Sequence, residues 1–197
     1  IMAKYGIPSI ALCIGPNGMA KTPEQKLETA KLLYKSGKKY GLKIEQFIFD
    51  VLTFTLATGE EEFQNAGKNT LDGIRLVKEY FPNAFTTLGL SNISFGLSPQ
   101  ARRALNSVFL YHAVRAGLDS AIVNVKEITP YTDISEDEKR LVENLIFNKN
   151  PNALSELITY FEKISSDSTK STKKTDIDPS WSAGKKSNFR IISRLKD

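Results

Sequence analysis

Two polar side chains of this 197-residue chain stand inside or just beyond apolar runs, and a polar group so placed is positioned for chemistry. Asp50 interrupts Phe47-Ile-Phe-Asp-Val-Leu-Thr-Phe54, a run that reads as a buried strand. A carboxylate there is costly unless something pairs with it. It either bonds backbone amides of the neighbouring loop or faces the amino groups of a ligand. Asn92 follows a second apolar run, Ala84 to Leu90, within Leu88-Gly-Leu-Ser-Asn-Ile-Ser-Phe-Gly96. Its amide offers both an acceptor and a donor, which suits a heteroaromatic ligand that also carries both. Alternatively, Ser91 and Asn92 form an Asx or Ser turn that caps the next helix. Arg102 and Arg103 lie in the first turn of that helix, where the macrodipole disfavours a cation. Such a placement fits an anion facing at least one of them, and equally a plain surface role.

Other chemistries lack their residues. No nucleophile motif, glycine-rich phosphate loop or cobalamin-ligating motif is present. One cysteine, Cys13, and one histidine, His112, make a poor metal set, because structural zinc takes about four ligands. Cys13 reads as a small buried hydrophobe. His112 falls mid-helix beside apolar residues, where a neighbouring carbonyl or solvent ordinarily satisfies the ring.

The elements that must carry these residues follow a repeating plan. Ile7 to Ile14 reads as a strand closed by the turn Gly15-Pro16-Asn17-Gly18. Thr22 then caps a helix, with Pro23 at its first position and Gln25 completing a capping box. Its apolar stripe is Leu27, Ala30, Leu33 and Tyr34, and Gly41 is its stop. The run containing Asp50 is followed by a helix from about Glu60 to Tyr80, opened by Glu60, Glu61 and Glu62 and ended by Pro82. The run before Asn92 leads into a helix from Pro99 to Ala116 with Gly117 as its stop. Ala121 to Val125 is a brief strand, followed by a helix from the box Ser135-Glu-Asp-Glu138 to about Phe147. A last amphipathic helix starts at Pro151.

Composition bounds the partners. The formal net charge is +5, but +4 of it falls at residue 166 and beyond, where eight Lys or Arg meet four Asp or Glu. The preceding part is nearly neutral, so the chain is not expected to bind nucleic acid; a Ser, Thr and Lys run of this kind is usually a solvated linker. Apolar runs are strand-length, so no membrane association is expected, and a signal-peptide pattern is lacking; the expected location is the cytoplasm.

Strand and helix alternating four times predict an α/β fold with parallel strands joined by crossovers. Four such units are half of a (β/α)₈ barrel, which takes about 250 residues. The expectation is therefore the C-terminal half of a TIM barrel over residues 1–164, a polar flexible linker over 165–188 and the start of another helical domain at 189–197. A four-unit sheet standing alone is the rival.

Three ordered motifs carry a likeness. The runs Phe47 to Gly59, Leu88 to Gly96 and Asn106 to Asn124, in this order and spacing, resemble the pterin-binding barrel of the cobalamin-dependent methionine synthase family. The likeness spans roughly residues 1–164. It extends to the tail, where a linker containing Trp181 and a basic helix start resemble the passage into a cobalamin-domain cap. The resemblance implies a methyltransferase that binds 5-methyltetrahydrofolate and passes its methyl group to cob(I)alamin on a neighbouring domain. Zinc would then belong to a homocysteine-binding domain outside this chain. Asp50 corresponds to the strand-end carboxylate that hydrogen-bonds the pterin. Asn92 corresponds to the catalytic amide near the methyl-bearing nitrogen, Arg102 to a loop cation near the substrate, and Asn124 to a polar residue at the end of the last strand. Val51 stands where the family often has Pro. The first four barrel strands, which in the family supply a further Asp and Asn, have no counterpart here, so the missing N-terminal half-barrel is an expected partner and this segment alone is expected to be inactive. The alternatives are a stand-alone methyltetrahydrofolate:corrinoid methyltransferase and a non-catalytic half-barrel subunit covered by a partner chain.

Overall fold

The computed structural model describes residues 1–171. By its internal contacts the chain divides into two compact units, Ile1–Phe161 and Glu162–Asp197. In chain order the elements are α1 (Met2–Tyr5), β1 (Ser9–Leu12), β2 (Ile14–Gly15), β3 (Gly18–Met19), α2 (Pro23–Lys38), β4 (Phe47–Asp50), α3 (Ala66–Tyr80), β5 (Phe85–Gly89), α4 (Pro99–Ala116), β6 (Ser120–Ile122), α5 (Glu136–Ile146) and α6 (Ala153–Ser171). Strands β1, β4, β5 and β6 form a parallel sheet in that order, while β2 and β3 pair as a small antiparallel hairpin. Each crossover in the main sheet carries a helix, as parallel pairing requires.

Local chemistry sets most helix ends. Thr22 accepts from the Gln25 N–H while the Gln25 side chain returns to the Thr22 N–H, a reciprocal cap that starts α2. Ser98 caps α4, with Pro99 at the first helical position, and Gly117 ends that helix at φ +107°, a conformation costly for other residues. Ser135 caps α5 through the Glu138 N–H.

The two sheet faces differ. One face carries Phe47, Phe49, Thr86 and Leu88, all buried under the helices, with α2 packed on α3, α3 on α4 and α4 on α5. Tyr34 of α2 and Phe81 close an aromatic cluster around Phe47 and Phe49, with ring centroids 5.2 to 5.6 Å apart. Burying one such ring stabilises the fold by about 1.5–3 kcal/mol. In register on the other face lie Ile10, Ile48 and Phe85, then Leu12, Asp50, Thr87 and Ser120, then Gly89 and Ile122. Ile10, Leu12, Phe85 and Ile122 are 48–66% exposed there. Parallel sheets ordinarily have both faces covered.

At the N-terminal ends of the strands, Asp119 accepts from the Thr86 backbone N–H and hydroxyl and from Lys78, which also donates to the Ala84 carbonyl. This network ties α3, β5 and the segment after α4 together, away from the ends where polar side chains gather.

Several expected boundaries are corrected. The run from Phe47 to Phe54 is strand only to Asp50, because Leu52 turns into the left-handed region at φ +65°. The helix expected from Glu60 begins at Ala66; Glu61 and Glu62 belong to a separate 3₁₀ turn, Glu61–Phe63, and Glu62 pairs with Lys21. The last helix starts at Ala153 rather than Pro151 and continues through 165–171, the first residues of the expected linker. The rest of that linker, with Trp181, and the helix start expected at 189–197 lie outside the described residues. Among the described residues no helix is long and apolar enough to cross a membrane.

Candidate functional site

The C-terminal ends of β4, β5 and β6 point the same way and gather the polar residues; in parallel α/β folds this end is where ligands bind, because strands fix directions and loops remain free to vary. After β5 the chain enters a 3₁₀ turn, Leu90–Ser94, whose Leu90 and Ile93 are anchored in the core. The turn leaves Asn92 exposed. No hydrogen bond engages its side chain among the described residues, so it forms no Asx turn, and the cap of the next helix is Ser98 instead. Gly89 makes room for the amide: a Cβ there would lie 3.0 Å from Asn92 Nδ2.

Asn92 and Asn124 share one cleft of about 340 Å³, lined also by Gly89, Ser91, Ile122 and Val123. The two amides are not equivalent. Asn124 Oδ1 accepts from the Lys126 N–H at 3.2 Å and its Nδ2 donates to Glu127 at 2.8 Å, so this side chain caps the 3₁₀ turn Val125–Glu127. Only its remaining N–H and lone pair are left for a ligand.

Asp50, half-buried at the end of β4, sits one register row below the cleft beside Thr87. One carboxylate oxygen accepts from the Leu52 N–H at 2.9 Å. The loop reading of this residue therefore holds for one oxygen, and the other has no partner among the described residues. Burial pushes the carboxyl above its usual range, opposed by the Leu52 hydrogen bond and the nearby Lys26 charge.

The structure does not bring Arg102 into the cleft. Its Nε donates to Ser94 Oγ at 3.3 Å, bracing the turn that carries Asn92 from behind. His112 lies elsewhere, its Nε2 3.0 Å from Glu143 Oε1, to which the Tyr131 hydroxyl also donates at 2.9 Å; the partner is a carboxylate rather than the expected carbonyl or water. Cys13 is fully buried, and burial pushes its thiol up to about 12, which keeps it uncharged. Among the described residues no three His, Cys, Asp or Glu side chains are grouped to hold a metal.

Sequence reasoning missed Lys26. It is fully buried, and its Nζ donates to the carbonyls of Ala20, Val51 and Leu52. A signal existed in the spacing: Lys26, Ala30 and Leu33 fall at i, i+4 and i+7, which puts the ammonium on the apolar stripe of α2.

A parallel sheet whose strand ends carry a free carboxylate oxygen and an unpaired amide beside a cleft is the setting of a heterocycle-binding α/β protein. The chain belongs to the pterin-binding enzyme family, whose model matches residues 1–124. Among curated proteins it is 40% identical over 181 residues to a methionine synthase of Mycobacterium leprae (strain TN), covering 90% of this chain and 15% of that protein. It is 39% identical over 201 residues to a methionine synthase of Mycobacterium tuberculosis (strain ATCC 25618 / H37Rv), covering 100% of this chain and 16% of that protein. The chain thus spans about 15–16% of the length of these relatives.

Proposed function

We propose that this chain is the methyltetrahydrofolate-binding segment of a cytoplasmic methionine synthase, and that the N5 methyl group of its substrate passes to cob(I)alamin held by another domain on the way to homocysteine. The observation that carries the reading is Asn92, an amide with neither end paired at the end of a parallel strand, in a chain of the pterin-binding family. Asp50's unpartnered oxygen accepts from the pterin's N–H groups, and the remaining capacity of Asn124 closes the cleft from β6. Arg102 acts through Ser94 on the turn rather than by touching the ligand.

The chemistry asks little of acids and bases. The methyl group leaves a tertiary amine, and departure is easier as that nitrogen takes a proton. Orientation and a hydrogen bond preorganised toward the protonated nitrogen supply that help, which an amide provides without itself titrating. In this reading the methyl acceptor is held by another domain, and the one imidazole of the sequence, His112, is tied to Glu143. Zinc likewise belongs with a homocysteine-binding domain.

The architecture proposed is the C-terminal half of a (β/α)₈ barrel over 1–164, whose last helix runs on to Ser171, followed by a linker over 172–188 and a cobalamin-domain cap from 189. Its support is the open sheet face, where Ile10, Leu12, Phe85 and Ile122 need the cover that the remaining strands and side chains of a barrel interior would give.

In the full-length protein, Asn92→Ala is expected to lower methyl transfer by about 10²–10³ in kcat with folate KM little changed, as befits an interaction that strengthens in the transition state. Wild-type transfer and wild-type folate affinity in that variant would sink the reading.

A further inference from the structure

Lys26 is among the largest fully buried side chains of the described residues, and a lysine is rarely buried without a purpose for its charge. Its ammonium has three protons and meets three carbonyl oxygens, Ala20 at 3.2 Å, Val51 at 2.5 Å and Leu52 at 3.0 Å. Two of those carbonyls belong to the turn that directly follows Asp50. In that turn the Leu52 N–H donates to Asp50 Oδ1, and Leu52 itself adopts φ +65°, a conformation uncommon for a residue with a side chain. Thr70 of α3 donates to the same Leu52 carbonyl at 3.2 Å, and the Asp50 carbonyl accepts from the Cys13 N–H at 2.9 Å. Gly73 of α3 leaves the space, since a Cβ there would lie 2.5 Å from Lys26 Cδ. The ammonium thus ties the segment after β3 to the turn after β4, with α3 against its stem and against the Leu52 carbonyl, and what is held in place is the strand end with its carboxylate.

We propose that Lys26 is a positioning residue for Asp50: its ammonium clamps the Val51 and Leu52 carbonyls in the turn that binds one Asp50 oxygen, leaves the other free for the pterin, and supplies the nearby positive charge that favours the carboxylate form. This deepens the folate reading and rests on it only for the identity of the ligand. The titratable groups bearing on Asp50 are Lys26 from α2 and Cys13 after β1. Burial brings the Lys26 ammonium down to about 8, so it remains mostly charged at neutral pH, and Cys13 remains a neutral thiol. Lys26 is therefore the charge that offsets the desolvation of Asp50.

The test uses the full-length protein with Lys26→Met and Lys26→Arg and two readouts. Hydrogen exchange of the peptide containing Leu52 needs no folate. It is expected to quicken in Lys26→Met while peptides of α4 and α5 keep their protection; unchanged exchange overturns the clamp. The second readout is the affinity for 5-methyltetrahydrofolate against pH. Lys26→Met is expected to bind about tenfold more weakly at neutral pH, the effect of losing a hydrogen bond to a charged group. Its acid limb should move up by roughly one pH unit, because an opposite charge nearby lowers a carboxyl by that much or more. Lys26→Arg should keep the limb of the wild type. Wild-type affinity and limb in Lys26→Met, or an Arg variant with the limb of Met, overturn the positioning role. A wild type that binds no methyltetrahydrofolate, with exchange still quickened in Lys26→Met, sinks the folate reading and leaves the clamp standing. Should Lys26→Met not fold, Gly73→Ala displaces the lysine stem and with it the clamp; quickened exchange of the Leu52 peptide and weaker binding of 5-methyltetrahydrofolate are expected, and wild-type exchange and affinity refute the proposal.

Discussion

Asn92 owes its availability to a neighbour with no side chain. A methyl group at position 89 would stand 3.0 Å from Asn92 Nδ2, so Gly89→Ala is expected to push the amide out of its place and lower kcat for methyl transfer several-fold while leaving folate KM and thermal stability almost unchanged. An unchanged kcat in that variant would mean that the amide's place near β5 does not matter. Asn106, in the middle of α4, presents the opposite case. It is fully buried and neither amide atom finds a partner among the described residues, so its desolvation is uncompensated. Leucine has the same branched shape and number of side-chain heavy atoms without the polar groups, and Asn106→Leu is expected to raise stability by about 1 kcal/mol, read from the urea midpoint at unchanged m-value. A clear loss of stability instead would place an internal water on that amide. Of the site, Asp50 and Asn92 were legible as sequence because each breaks an apolar context, a contrast visible within a few residues. The local spending of Asn124 and the backing role of Arg102 were not, since they depend on where Glu127 and Ser94 stand in space.

Between elements, α3 meets the backbone of α5 closely at Gly67. A Cβ at Gly67 would lie 2.8 Å from the Ile146 carbonyl oxygen, and backbone cannot yield as a side chain does, so Gly67→Ala is expected to cost about 1–3 kcal/mol in denaturant unfolding. Helices α4 and α5 are further joined through Glu143, which takes hydrogen bonds from His112 and Tyr131. Burial alone would raise this carboxyl, but the two hydrogen bonds outweigh it and hold it below its usual 4.5. A carboxyl depressed in the folded state contributes stability above its unfolded value and loses it as pH falls through the folded one. The stability advantage of wild type over Glu143→Gln should therefore be present above pH 4.5 and shrink below it; an advantage independent of pH would show that the charge is not what joins the helices. Element order and helix caps were readable because they are local: Thr22 with Gln25, Ser98 with Pro99, and Gly117 act over one turn of chain. The start of α3 and the end of β4 were not, because the left-handed Leu52 answers to Lys26 and Thr70, Leu56 to the Ile93 carbonyl and Glu62 of the 3₁₀ turn to Lys21, all across the fold.

For the first unit as a whole, the deciding feature is a sheet with helices on one face only. Its bare face should not tolerate water, and the 197-residue chain is expected to self-associate with rising concentration in sedimentation. Ile10→Glu with Ile122→Glu should shift it toward monomers at unchanged helix content; a monomer at every concentration would contradict the open face. A melt of this chain alone is expected to be broad and indifferent to 5-methyltetrahydrofolate, whereas a sharp transition that rises with ligand, as linkage demands of a ligand bound only by the folded form, would show that four strands hold the site unaided. The single register that aligns Ile10, Ile48 and Phe85 with Asp50 and Thr87 has one more effect. The surface that must be sealed and the surface that must recognise the ligand are the same surface, so in the proposed barrel sealing and ligand competence arrive together. Folate binding would then serve the cell as a proof of assembly: a misregistered or half-made enzyme would be unable to sequester its substrate, and the methyl group would be committed only to molecules whose construction is complete.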